Sequence, residues 1–130
     1  MKRTKGFATL TSVLIIGALG TTLAVSLLLM GLASSQTSFA FIQSHQSKAL
    51  ADACMEEALE RIRESTPFTG TGTLTLGAGS CAYTVTSGGS QNRTATSSGT
   101  VGSMLRKVKV TIDKITPLIN VTSWQEVADF

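Results

Sequence analysis

From Phe7 to Leu32 the chain is almost continuously apolar or small, and between Lys5 and Lys48 it carries no Asp, Glu, Lys or Arg. Leu10, Val13, Leu14, Ile15, Ile16, Leu19, Leu23, Val25, Leu27, Leu28, Leu29, Met30 and Leu32 fall in this stretch. As a helix rising roughly 1.5 Å per residue, 26 residues extend about 39 Å. A bilayer core is about 30 Å thick, so the pattern predicts a transmembrane helix over residues 7–33. A cleaved secretory signal has a shorter apolar region, about 7–15 residues, followed by a small-residue cleavage site. Nothing polar stops the run here before Ser34-Ser35-Gln36. A signal anchor is therefore the expectation. Lys2, Arg3 and Lys5 would stay in the cytoplasm by the positive-inside rule, and everything beyond the anchor would be exported from the inner membrane.

The pattern then changes while the helical period persists. No Pro precedes Pro67, and no Gly occurs between Gly31 and Gly70. Leu50, Cys54, Ala58 and Ile62 recur every fourth residue, with Ala49, Ala53 and Leu59 beside them, which makes an apolar stripe. Asp52, Glu56, Glu57, Glu60, Arg61, Arg63 and Glu64 fall mostly off that stripe. Glu57–Arg61 and Glu60–Arg63 are favourable neighbours on such a surface, and Glu60–Glu64 is not. Ser65-Thr66-Pro67 ends the helix, because Pro disfavours helical geometry in the residue before it. Residues 34–66 thus read as an extracytoplasmic, amphipathic continuation of one helix of about 55–60 residues, half in lipid and half outside.

After Pro67 the period becomes two. Leu74 and Leu76 alternate with Thr73 and Thr75, and Gly77-Ala78-Gly79-Ser80 reads as a turn. Cys81, Tyr83 and Val85 then alternate with Ala82, Thr84 and Thr86. This is a hairpin pattern with a loop longer than two residues. Residues 87–92 read as a loop and 94–101 as a weak Thr- and Ser-rich strand. The strongest strand is 104–115, with Val108, Val110 and Ile112 on one face and Lys107, Lys109, Thr111 and Asp113 on the other. Thr116-Pro117 turns the chain into a last strand over 118–124. In the tail, the spacing of Ser123 and Glu126 suggests a capping box and a short helical turn. The expected fold is α+β: a long N-terminal helix with a transmembrane half and an amphipathic half. A small antiparallel sheet of four or five strands, residues 67–130, packs on its outer half.

Composition sharpens this picture at two points. Of the 11 basic residues three lie in the leader, and the remaining eight balance the eight acidic ones. A neutral exported part argues against a general nucleic-acid-binding role, which needs a net or clustered positive field. Arg106, Lys107 and Lys109, with Lys114 and Arg93, are candidates for a basic stripe along one edge of the sheet; a solvated strand face that discourages edge pairing is the plainer reading. Cys54 and Cys81 both lie beyond the anchor, where disulfides persist, and on core-facing positions of their elements. They are expected to pair, closing a loop worth about 3–4 kcal/mol in the chain-entropy account; the alternative is two buried thiols.

The N-terminus resembles the class III signal of type IV pilins and pseudopilins: a short basic leader, Gly6-Phe7, then a long uncharged helix. The likeness is nearest to the PilX-type minor pilins. Their Ala-Leu-x-x-Ala-x-x-Glu-Ala-Leu stretch has a counterpart in Lys48-Ala49-Leu50-Ala51-Asp52-Ala53-Cys54-Met55-Glu56-Glu57-Ala58-Leu59-Glu60. The resemblance covers about residues 1–65. It implies that a membrane prepilin peptidase removes a cytoplasmic leader, residues 1–6, by cutting between Gly6 and Phe7, and methylates the new amine. It also implies that the subunit passes from the cytoplasmic membrane into an extracellular pilus, with other pilin subunits as partners through the N-terminal helix. Most pilins carry a Glu at the fifth mature position. Here that position is Thr11, and no carboxylate precedes Asp52. A minor or tip subunit is therefore expected. Gly17, Gly20 and Ala24, with Gly31, suit close helix packing in lipid, and Gly17–Gly20 is also where a helix is most easily unwound.

No other chemistry stands out. His45 has no partner at metal-ligand spacing, the paired glycines at 70–72 and 77–79 lack any phosphate-binding fingerprint, and no Ser or Thr sits in a nucleophile context. Asn92-Arg93-Thr94 and Asn120-Val121-Thr122 match a glycosylation acceptor pattern short enough to recur by chance. The expectations are no enzyme activity, no cofactor and no metal. The alternatives to a pilus subunit are a type II secretion pseudopilin and a membrane-anchored β-domain that binds a ligand and never assembles.

Overall fold

In a computed structural model, which describes residues 4–130, a single helix α1 runs from Thr4 to Glu64 (61 residues). Leader residues 1–3 lie outside the described residues. The helix is unbroken through Gly17 and Gly20, so no unwinding occurs there. It ends where the residues before Pro67 stop it: Ser65 donates its backbone N–H back to Arg61, and Phe68 to Ser65. Five strands follow, β1 (Gly70–Leu76), β2 (Gly79–Gly89), β3 (Asn92–Val101), β4 (Met104–Lys114) and β5 (Asn120–Val127). They form one antiparallel meander in the order β1-β2-β3-β4-β5. Residues up to Phe39 form one compact unit and Ala40–Phe130 a second.

The turns are tighter than the sequence suggested. Leu76 pairs directly with Gly79, and Gly89 with Asn92. Each hairpin therefore closes with two residues rather than the longer loops expected at 77–80 and 87–92. Gly77 and Ser90 take positive φ (60° and 49°), the geometry that matches a two-residue turn to strand twist. The tail corrects the expectation of a helical turn. β5 continues to Val127, which pairs with Lys107 of β4. Seven residues of ladder pairing outweigh one capping box at the edge of a small domain.

The core lies between one face of the sheet and the helix from Ser47 to Ile62. Leu50, Ala51, Cys54, Met55, Ala58 and Ile62 are buried against Cys81, Tyr83 and Val85 of β2, Ala95 and Val101 of β3, and Val108, Val110 and Ile112 of β4. The helix comes closest over β3. A Cβ on Gly99 would collide with the carbonyl of Ser47 and the amide of Ala51, so only glycine fits there. Beside it, the buried Ser97 hydroxyl donates to the carbonyl of Ala51 at 2.8 Å. Cys54 and Cys81 form a disulfide with Cα atoms 6.0 Å apart, joining the helix to β2.

Candidate functional site

Two surfaces carry the candidate functions. The first is the apolar segment of α1. Every large hydrophobic residue from Phe7 to Leu32 is exposed, as are Phe39, Phe41 and Ile42. The segment is long and apolar enough to cross a membrane, and none of its most apolar window is buried within the protein. An apolar surface of this size lies on water only at a high free-energy cost, so lipid or other helices must cover it. This is consistent with a single-pass membrane protein.

The polar residues of that segment fit the same environment. Thr11 donates its hydroxyl to the carbonyls of Phe7 and Ala8 at 3.1 and 3.0 Å. Ser12, Thr21, Thr22 and Ser26 do likewise with carbonyls three or four residues back. Each hydroxyl is thus satisfied inside its own helix, which is what a polar side chain needs where water is absent. The sequence reading passed over this set; its signal was isolated Ser and Thr in an apolar run. At the Gly6–Phe7 junction, both residues are exposed and helical, and the carbonyl of Gly6 accepts the hydroxyl of Thr9 at 2.9 Å. A Cβ at Gly6, Gly17, Gly20 or Gly31 would meet nothing within 4 Å, so these glycines leave open notches rather than packing positions within this chain.

The second surface is the domain Ala40–Phe130. On its helix, Arg61 donates to Glu57 at 3.0 Å and Arg63 to Glu60 at 2.9 Å, as the spacing implied, and Arg61 also lies 3.8 Å from Glu64. The hydrogen bond that Arg61 donates to the Glu57 carboxylate holds the pKa of the guanidinium above its usual value. Arg106 of β4 turns to the helix side, where it donates to Ser44 and to Glu126 of β5; Lys48 meets the same carboxylate at 3.5 Å. Lys107, on the outer face, donates to Asp129, which lowers the pKa of that carboxyl.

The basic residues therefore do not line up as one stripe. Arg106 and Lys107 point to opposite faces and are ion-paired, and Arg93 is buried. Arg93 donates to the carbonyls of Thr66, Phe68, Ser90 and Asn92 and to the hydroxyl of Ser87. It ties the end of the helix connection to the β2–β3 turn, and all these partners are neutral. A charged residue inside a weak strand reads as surface from sequence, because its acceptors are backbone carbonyls far away in the chain. Gln91 was missed for the same reason: its side-chain oxygen accepts the backbone N–H of Ile115 and of Thr116, both at 3.0 Å.

His45 lies edge-on to Phe41, ring centroids 4.3 Å apart. Among the described residues, no three His, Cys, Asp or Glu side chains gather as a metal would need. The Asn120 amide donates to Asp113 at 2.8 Å. Comparison of the chain with protein-family models, curated proteins and solved structures found no match.

Proposed function

We propose that this chain is a structural subunit of a type IV pilus or related filament, in a minor or tip position, inserted in the membrane as a prepilin and cleaved after Gly6. The supporting observation is one helix with two surfaces. Its N-terminal part is uncharged and outward-facing, and the hydroxyls of Thr11, Ser12, Thr21, Thr22 and Ser26 are satisfied within the helix itself. Its C-terminal part is amphipathic and linked by a disulfide to a folded sheet. A helix with the first surface is at home in lipid and equally at home against like helices, since neither environment offers water. Transfer between them is then close to neutral in hydrophobic free energy, and packing at notches such as Gly17, Gly20 and Ala24 decides which wins.

Thr11 bears on the role. Its hydroxyl is already used by its own helix, so it leaves nothing charged to meet the amine of a neighbouring subunit. That favours few copies at a special position over the repeated bulk of a fibre. The test is mechanical shearing of host cells. The processed chain should appear in the sheared filament fraction, in small amount relative to a bulk subunit. A chain that stays wholly in the membrane fraction with its leader intact would instead mean an anchored β-domain.

A further inference from the structure

The two edges of the sheet are built differently. β5 is irregular, with register shifts on either side of Ile112, and it carries Glu126 in an ion pair with Arg106 and Lys48. Shifts and charges of this kind discourage strand addition. β1 has neither. Its seven residues, Gly70-Thr71-Gly72-Thr73-Leu74-Thr75-Leu76, pair with β2 in unbroken register, include no charge and no proline, and leave the other backbone edge open. Natural sheets rarely leave such an edge bare unless something pairs with it.

The order of residues in β1 says what fits. On the helix-facing side β1 presents Gly70, Gly72, Leu74 and Leu76; on the outer side Thr71, Thr73 and Thr75. A second copy laid antiparallel about a two-fold axis at Thr73 sets Gly70 opposite Leu76 and Gly72 opposite Leu74. It also sets Thr71 opposite Thr75 and Thr73 opposite itself. Every large residue then meets a glycine, every threonine meets a threonine, and all seven residues pair. Cross-strand Thr pairs are favourable, and an isologous contact of this kind closes as a dimer. A trough beside β1, lined by Glu57, Arg61, Phe68, Gly72, Leu74 and Tyr83, continues the match. Gly72 leaves its space to the ring of Tyr83, so Leu74 of the second copy meets an aromatic surface and not a void.

We infer that β1 is a self-pairing edge that joins two copies of this chain into a continuous ten-stranded sheet. The contact uses only residues of Ala40–Phe130 and does not depend on the filament reading. The dyad stands normal to the sheet and reverses strand direction, and it reverses helix residues 40–64 with it. One seven-residue strand pair is smaller than the roughly 1,200–2,000 Å² interfaces of stable complexes, so single contacts are weak and repetition supplies avidity.

The test is cysteine cross-linking of the full chain in detergent, using a short thiol-specific bifunctional reagent. The native cysteines are already paired. Thr73→Cys should give a covalent dimer at least five-fold more readily than Thr84→Cys, an exposed outer-face position on β2. Thr71→Cys and Thr75→Cys should each stay monomeric alone and link when mixed. Near-ultraviolet circular dichroism of every variant should match the parent, since all four positions are exposed. Equal linking at positions 73 and 84, or a Thr73→Cys dimer without the mixed Thr71–Thr75 product, would overturn the assignment.

Discussion

Gly99 is the residue on which the joint between helix and sheet depends. Its missing side chain lets the backbone of Ser47 and Ala51 settle on β3, and the Ser97 hydroxyl uses that closeness to bond the Ala51 carbonyl. Gly99→Ala should therefore lower stability by about 1–3 kcal/mol, the usual range for overpacking a closed site. Thermal melts of the full chain in detergent would measure it; an unchanged melting temperature would mean that the helix sits further from β3. Arg93 is the second such residue. Its guanidinium has its donors shared among neutral acceptors, and a lysine ammonium cannot reproduce that fork. Arg93→Lys should cost about 1–3 kcal/mol through carbonyls left without donors. Neither role was legible in the sequence. A glycine in a weak strand and an arginine between an asparagine and a threonine look like surface until distant backbone is brought beside them.

The helix and the strands were far more legible, because period and burial coincide. The stripe Leu50, Cys54, Ala58, Ile62 is the buried face of α1, and the alternation of Cys81, Tyr83 and Val85 is the buried face of β2. The ends of elements were not legible. Segments 77–80 and 87–92 read as turn and loop by composition, yet Gly79, Ser80 and residues 87–89 extend as strand once a neighbour supplies the ladder, leaving two-residue turns at 77–78 and 90–91. Replacing Cys54 and Cys81 together by serine should weaken the domain by about 3–4 kcal/mol, since their separation of 27 residues sets the entropy released in the unfolded chain. The same melt, with and without reductant on the parent, would check it: the reduced parent and the double variant should coincide. In the apolar part of α1 the expectation reverses. Gly20 faces open space, so Gly20→Leu should leave the melt of the β domain unchanged while reducing recovery in the sheared filament fraction. An equal loss in both would place Gly20 in the fold of the subunit itself.

At the scale of the whole molecule, two surfaces of different character share one helix: an outward apolar length that water cannot cover, and a face closed by a disulfide-linked sheet. The first was evident in the sequence from its unbroken lack of charge. What it assembles with was not, because an exposed apolar helix specifies an environment and not a partner. The filament reading rests on the Gly6–Phe7 junction together with that helix, and cleavage at the junction is its most direct consequence. The decisive measurement is the intact mass and N-terminal peptide of the protein purified from its own host without reductant. A chain that begins at N-methylated Phe7, two hydrogens lighter than its reduced form, is the expected result. A chain that retains its leader, or one that begins beyond the apolar segment, would contradict it.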